Sequence, residues 1–165
     1  ALFTEHIPLR QVPKQIKIGR LNAFLQDFHA CTKASKVAVL GLNPHAGDGG
    51  VLGDEEKKIS KAINKANKKL GKSVFEGPFI PDVAFTPGVR EKFTHFVAMY
   101  HDQGLAPLKA LYFEESINVS LNLPIIRTSV DHGTAFDIAY SGKAKETSYI
   151  NAITQAVTLA KGRKS

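Results

Sequence analysis

The sequence predicts an α/β fold, a mostly parallel sheet flanked by helices, and two observations carry that prediction. Short apolar, β-branched runs at Lys36–Leu42 and His95–Tyr100 have the character of strands buried on both faces. Around them, apolar residues recur at helical spacing: Leu21, Phe24, Leu25, Phe28 and Cys31, then Ile59, Ala62, Ile63, Ala66 and Leu70,. Strands that alternate with helices build parallel sheets, because each parallel return needs a crossover. With 165 residues, 43% hydrophobic and 22% charged, the chain has the material for one domain with a core.

Taken in order, Leu2–Leu9 reads as a strand end running into a Pro-terminated turn, with His6 in it. A helix follows over Ile18 to Lys33, with Cys31 expected as a small core residue and His29 as a structural histidine beside the apolar face,. The strand Lys36–Leu42 leads into Asn43-Pro44-His45-Ala46-Gly47-Asp48-Gly49-Gly50-Val51-Leu52-Gly53. Its Gly47-x-Gly49-x-x-x-Gly53 spacing departs from the dinucleotide fingerprint, and the glycines instead suit a backbone folded tightly around Asn43 and His45. The next helix starts at Asp54-Glu55-Glu56, which complement its dipole,. Ser73–Phe85, rich in Pro and Gly, is expected to cross between elements,.

The strand His95–Tyr100 stops at His101-Asp102, and Gln103–Phe113 reads as a short helix carrying Lys109. Ile117–Leu123 alternates like a strand, and Asn118 and Arg127 interrupt apolar surroundings,. An Arg in such a place answers a carboxylate or phosphate, or a buried partner within the fold. Asp131–Ala139 is a polar loop leading into a short helix, and Ile150, Ile153, Ala156, Val157 and Ala160 line a last amphipathic helix,.

The net charge of +7 is concentrated. Lys57, Lys58, Lys61, Lys65, Lys68, Lys69 and Lys72 form the outward face of one amphipathic helix,. No aromatic residue interleaves them to stack bases, so a solvated face is favoured over a basic nucleic-acid-binding module, the alternative from another class. The single cysteine fits a reducing cytoplasm,, and the apolar runs fall far short of the roughly 20 residues that cross a bilayer. The expectation is a cytoplasmic protein without membrane or nucleic-acid partners. The opening inside an apolar segment without Met suggests a piece of something longer.

Three histidines, His6, His45 and His101, each follow a predicted strand. Strand ends of a parallel sheet share one edge, and three imidazoles with an open fourth position make a catalytic metal site. No short ligand spacing joins them, so convergence rests on the fold. Asp82 either lines the cleft or caps a turn.

Four blocks carry a resemblance: Thr4–Leu9, Gly41–Gly50, Ala98–Leu105 and Arg127–Ala135. In order and spacing they resemble the 4-hydroxythreonine-4-phosphate dehydrogenase family, in which this chain would be the C-terminal half. The resemblance implies the isocitrate/isopropylmalate dehydrogenase-like fold, here as a partial chain. Residues 1–115 would be part of a metal-binding and dimerisation domain, and 116–165 part of a return into the nucleotide-binding domain. The implied activity is oxidation of 4-phosphooxy-L-threonine by NAD or NADP with decarboxylation, in pyridoxal phosphate biosynthesis, by a homodimer whose active site spans two subunits. Carried over by residue, His6, His45 and His101 match the divalent-metal ligands, with zinc or cobalt favoured by imidazole ligands over magnesium or manganese. Lys109, Asn118 and Arg127 match substrate-binding positions, Lys109 also a catalytic one, and Asp82 and Asp102 catalytic cleft carboxylates. His132, Gly133, Thr134 and Asp137 match the loop holding the adenosine half of the nucleotide. The fragment alone is expected to be inactive. Family relatives acting on a phosphorylated four-carbon hydroxy acid or a cis-dihydrodiol are the alternatives.

Overall fold

The computed structural model describes residues 1–162, and the last three residues of the expected 116–165 segment lie outside the described range. The chain divides into two compact units, Ala1–Pro107 and Leu108–Ser165. The helix α5 (His101–Tyr112) contains that boundary, ahead of the change of role read at 115/116.

In the first unit, α1 (Val12–Gln15) and α2 (Ile18–Thr32) precede β1 (Val37–Leu40); α3 (Glu55–Leu70), β2 (Phe75–Phe79), α4 (Pro87–Arg90) and β3 (Phe96–Val97) follow. The sheet order is β2-β1-β3, and both pairings of β1 are parallel. Leu2 adds a parallel bridge to Ala98, with Phe3 N donating to Ala98 O at 2.8 Å and Ala98 N to Ala1 O at 2.9 Å. β1 is buried throughout, as its continuous apolar run requires,. Val37 and Val39 join a core with Leu21, Leu25 and Phe28 of α2 and Ile59, Ala62, Ile63 and Ala66 of α3. Leu40 instead meets Ala84 and Ala98. Alternation along one strand thus produces two apolar clusters.

The helix periods predict α2 and α3 well. The lysines of α3 point outward while Ile59, Ala62 and Ala66 are wholly buried. His29 is buried and its Nδ1 pairs with Ala34 O at 2.9 Å, and His95 packs edge-on to Phe28. Cys31 corrects the sequence reading: it is exposed. At 100° per residue it sits about 80° round the helix from Leu21, in the last turn, where the buried stripe has already turned away. Ser73–Phe85 is corrected as well, because it contains β2. Gly77 and Pro78 disguise it, and β2 tolerates them as the outer strand of its sheet,.

The second unit holds β4 (Ile117–Ser120), β5 (Arg127–Val130) and α6 (Thr147–Gly162). Its strands are antiparallel, Ile117 opposite Val130 and Ser120 opposite Arg127. The parallel expectation therefore holds for the first unit only. The link between β4 and β5 is too short for a crossover, and Asn122 turns it at φ 58°. α6 packs on this pair, with Thr128 Oγ1 donating to Ala152 O at 2.9 Å and Ser148 Oγ to Ser116 O at 2.7 Å. Its buried residues are Ser148 and Ala152, whereas Ile150, Ile153 and Val157 of the expected apolar line are 53%, 50% and 48% exposed. Among the described residues no helix is long and apolar enough to cross a membrane.

Ile59→Ala, at a wholly buried site, is expected to lower unfolding free energy by about 2–5 kcal/mol, and Val157→Ala by far less; urea unfolding of both variants measures the contrast.

Candidate active site

The parallel register delivers two histidines to one place. The Leu2–Ala98 bridge and the Thr4 Oγ1 bond to Met99 O (2.7 Å) lay the first residues alongside the end of β3. His6 and His101 then leave neighbouring strand ends with ring centroids 5.2 Å apart. They line a cleft of about 290 Å³ with Glu5, Ile7, Tyr100 and Asp102.

His101 Nδ1 lies 2.7 Å from Asp102 Oδ1. A carboxylate only accepts, so Nδ1 carries the proton and Nε2 keeps its lone pair for a ligand. Glu5 Oε2 lies 4.0 Å from His6 Nδ1, beyond hydrogen-bond distance,. An imidazole backed by a carboxylate is the arrangement that orients metal-binding histidines.

His45 also follows a strand of this sheet, β1, but it is exposed and does not line the cleft. Among the described residues no three His, Cys, Asp or Glu side chains lie close enough together to hold a cation. Asp82 is exposed in the turn after β2, outside the cleft; Asp102 lines it.

The loop carrying His45 runs through consecutive left-handed residues: His45 (φ 51°), Ala46 (51°), Gly47 (82°), Asp48 (43°) and Gly49 (66°). Each non-glycine in that region costs about 1–2 kcal/mol, so something must hold the loop. Glu56 does. Its Oε1 accepts from Leu42 N at 2.8 Å and Asn43 N at 2.7 Å, and its Oε2 from Asn43 Nδ2 at 2.9 Å. Gly47 at φ 82° and Gly53 at φ 144° hold conformations that favour glycine, and a Cβ on Gly47 would also stand 2.7 Å from Gly53 O,. Burial would raise the Glu56 pKa, but hydrogen bonds from the Asn43 backbone and side chain and the Leu42 backbone hold it below the ordinary 4.5,. Hydrogen bonds to a charged group contribute about 1.5–3 kcal/mol each, enough to offset the strain.

The second unit holds the other candidates. Lys109 Nζ donates to Asp131 O at 2.9 Å and lies 3.9 Å from Asp131 Oδ2, which also accepts from Ser116 Oγ at 3.0 Å. In the β4–β5 register, Asn118, opposite Ser129, shares a face with Arg127, opposite Ser120,. α6 bonds to the other face, through Thr128. Arg127 is exposed and donates to Ser120 Oγ at 2.9 Å, so the buried ion pair weighed for it is absent among the described residues. His132, Gly133, Thr134 and Asp137 are exposed on the loop around the 3-10 turn Phe136–Ile138.

Sequence reasoning missed the roles of Glu56 and Gln103, and placed Asp131 in the polar loop without its contact to Lys109. For Glu56 a signal existed, since it falls in step with Ile59, Ile63 and Ala66 on the buried face of α3,.

Three comparisons bear on identity. The family model "Pyridoxal phosphate biosynthetic protein PdxA" matches residues 1–156. A 4-hydroxythreonine-4-phosphate dehydrogenase of Sulfurimonas denitrificans is 68% identical over 159 residues, 96% of this chain and 52% of that one. The crystal structure of the same-named enzyme from Klebsiella pneumoniae superposes with TM-score 0.78 at 39% identity, covering 96% of this chain and 50% of that one. A terephthalate 1,2-cis-dihydrodiol dehydrogenase from Burkholderia xenovorans gives TM-score 0.70 at 26% identity, over 95% and 51%. The chain thus spans about half the length of the relatives it matches.

Because the Glu56 pKa is depressed, its contribution to stability is fully present above 4.5 and is lost as pH falls through the lower folded value,. The stability difference between wild type and Glu56→Gln in urea unfolding is therefore expected to be largest near neutrality and to shrink below pH 4.5; a pH-independent difference contradicts this.

Proposed function

The chain belongs to the PdxA family of pyridoxal phosphate biosynthetic proteins, and on that ground we propose that it is part of a metal-dependent 4-hydroxythreonine-4-phosphate dehydrogenase. In this reading the C3 hydroxyl of 4-phosphooxy-L-threonine is oxidised by NAD or NADP, and the keto acid loses carbon dioxide to give 3-amino-2-oxopropyl phosphate. The observation that carries the reading is the His6–His101 pair, 5.2 Å between ring centroids, at one sheet edge. The setting is cytoplasmic.

The donor chemistry fits a divalent cation. Two imidazoles, His101 bonded to a carboxylate and His6 beside one, suit zinc or cobalt more than magnesium or manganese. A catalytic zinc takes three protein ligands, and the third in this proposal is His45 of the partner subunit in a homodimer. A cation held by these residues would supply Lewis acidity toward the substrate hydroxyl, and a bound nicotinamide would supply the hydride acceptor.

This chain's own residues do the rest. Asp102 keeps the His101 proton on Nδ1. Lys109, oriented by Asp131, supplies positive charge and a proton donor,. Arg127, with Asn118 on the same strand face, binds the anionic groups of the phosphorylated substrate. Asp82 stands outside the His6–His101 cleft and takes no part there, and His132, Gly133, Thr134 and Asp137 hold the adenosine half of the nucleotide in this proposal. The domain roles follow: residues 1–115 serve metal binding and dimerisation, 116–165 nucleotide binding. The chain by itself lacks half of the relatives' length and is proposed to be inactive.

A second reading, a cis-dihydrodiol dehydrogenase, is favoured by the likeness to the Burkholderia xenovorans structure. Assaying the intact enzyme of which this chain is proposed to be part, with a 4-phosphooxy-L-threonine and cis-dihydrodiol panel, separates the two.

Metal analysis tests the proposal. Wild type is expected to carry stoichiometric zinc or cobalt, and His101→Ala and His6→Ala to lose it while remaining folded by circular dichroism; full occupancy in both variants refutes the histidine site.

A further inference from the structure

We propose that Glu56 and Gln103 are positioning residues that grip one peptide plane from opposite ends, and so fix the His45 loop relative to the start of the His101 helix. The plane joins Gly41 to Leu42. Its carbonyl, Gly41 O, accepts from Gln103 Nε2 at 2.8 Å. Its N–H, on Leu42, donates to Glu56 Oε1 at 2.8 Å. A peptide unit is rigid and planar, so the two side chains are joined mechanically through it.

Each gripping residue is anchored on the side of one histidine. Gln103 follows His101 by two residues in the first turn of α5, and its Oε1 also accepts from Met99 N at 2.7 Å. It therefore ties the end of β3, the start of α5 and the end of β1 into one buried unit. Glu56 lies in the first turn of α3 and is likewise buried. It takes the next amide as well, Asn43 N at 2.7 Å, and the Asn43 side chain at 2.9 Å. Glu55 Oε2 accepts from Asn43 Nδ2 too, at 2.9 Å. His45 lies two residues beyond Asn43, where the left-handed run begins.

Neither Glu56 nor Gln103 bonds to a histidine ring, so both act through the backbone. Rotating the Gly41–Leu42 plane changes the Gly41 ψ and Leu42 φ angles and so moves the Asn43-Pro44 segment that leads to His45. Losing Gln103 leaves the buried Gly41 O unpaired, and losing Glu56 leaves the Leu42 N–H unpaired; the cost of the orphaned group favours rotation of the plane, which strains the bond at its other end. The inference deepens the metal reading above and rests on it only for the cobalt measurement below.

The test uses the isotope-labelled full chain, wild type and the variants Gln103→Met and Glu56→Gln. Two readouts need no metal: amide hydrogen exchange and the imidazole resonances. Gln103→Met is expected to speed exchange of the Leu42 and Asn43 amides, whose acceptor it leaves in place, by roughly tenfold, and to shift the His45 ring resonances. Glu56→Gln is expected to do the converse, loosening the Met99 amide and shifting His101. If Gln103→Met does not fold, the Glu56→Gln arm decides alone. Effects confined to each substituted residue's own bonding partners, with the far histidine unmoved, overturn the proposal.

The third readout is cobalt(II) affinity from visible absorption. Each variant is expected to bind roughly tenfold more weakly, and the double variant no more weakly than the worse single one, because both act on one plane. Strictly additive losses contradict the clamp. Absence of cobalt binding by the wild type sinks the metal reading, and the exchange and resonance results then decide the clamp by themselves.

Discussion

The site depends on the parallel pairing of β1 with β2 on one side and β3 on the other. Parallel strands all leave at the same edge. Histidines placed just after strand ends are therefore gathered by topology rather than by local spacing. Leu2 extends the rule by bridging to Ala98, which brings His6 beside His101 although 95 residues separate Thr4 from the Met99 carbonyl that it binds. The full burial of β1 fixes this arrangement, since a one-residue slip would take Val37 and Val39 out of one apolar cluster and Leu40 out of the other,.

A different device presents His45. Its loop is strained, with three non-glycine residues, His45, Ala46 and Asp48, at positive φ. Strain of this kind persists only where the surroundings over-determine it. A buried carboxylate, an asparagine side chain and closely fitted glycines do so here. The proposed role of His45, as a ligand to the cation of the partner subunit, draws on this exposed placement.

Much of the first unit was legible in the sequence because its helices keep strict periods: the spacing of Ile59, Ala62, Ile63 and Ala66 predicts both α3 and its buried face. Reading His6, His45 and His101 alike as strand-end residues leads to an expected meeting of three rings; the His6 and His101 ring centroids lie 5.2 Å apart, while His45 does not line their cleft. What escaped had physical reasons. β2 was hidden by Gly77 and Pro78, which an outer strand accepts. Glu56 reads equally as a helix-dipole residue and as a core carboxylate, and only the neighbouring loop decides between them. In the second unit the β4–β5 connection carries no hairpin signature of the Asn-Gly kind, so the antiparallel turn went unread,. The outward Ile150, Ile153 and Val157 show that an apolar period marks a face without naming what covers it.

The central claim is that one cation is held by His6 and His101 of one chain and by His45 of the partner subunit. Mixing a His45→Ala chain with a His101→Ala chain tests it most directly, with bound cobalt counted per mixed dimer. If the ligands are shared across subunits, neither variant binds alone and the mixed dimer regains one complete site, hence one cobalt. If all three ligands come from a single chain, the mixture stays as empty as its components, and the shared-site account is wrong.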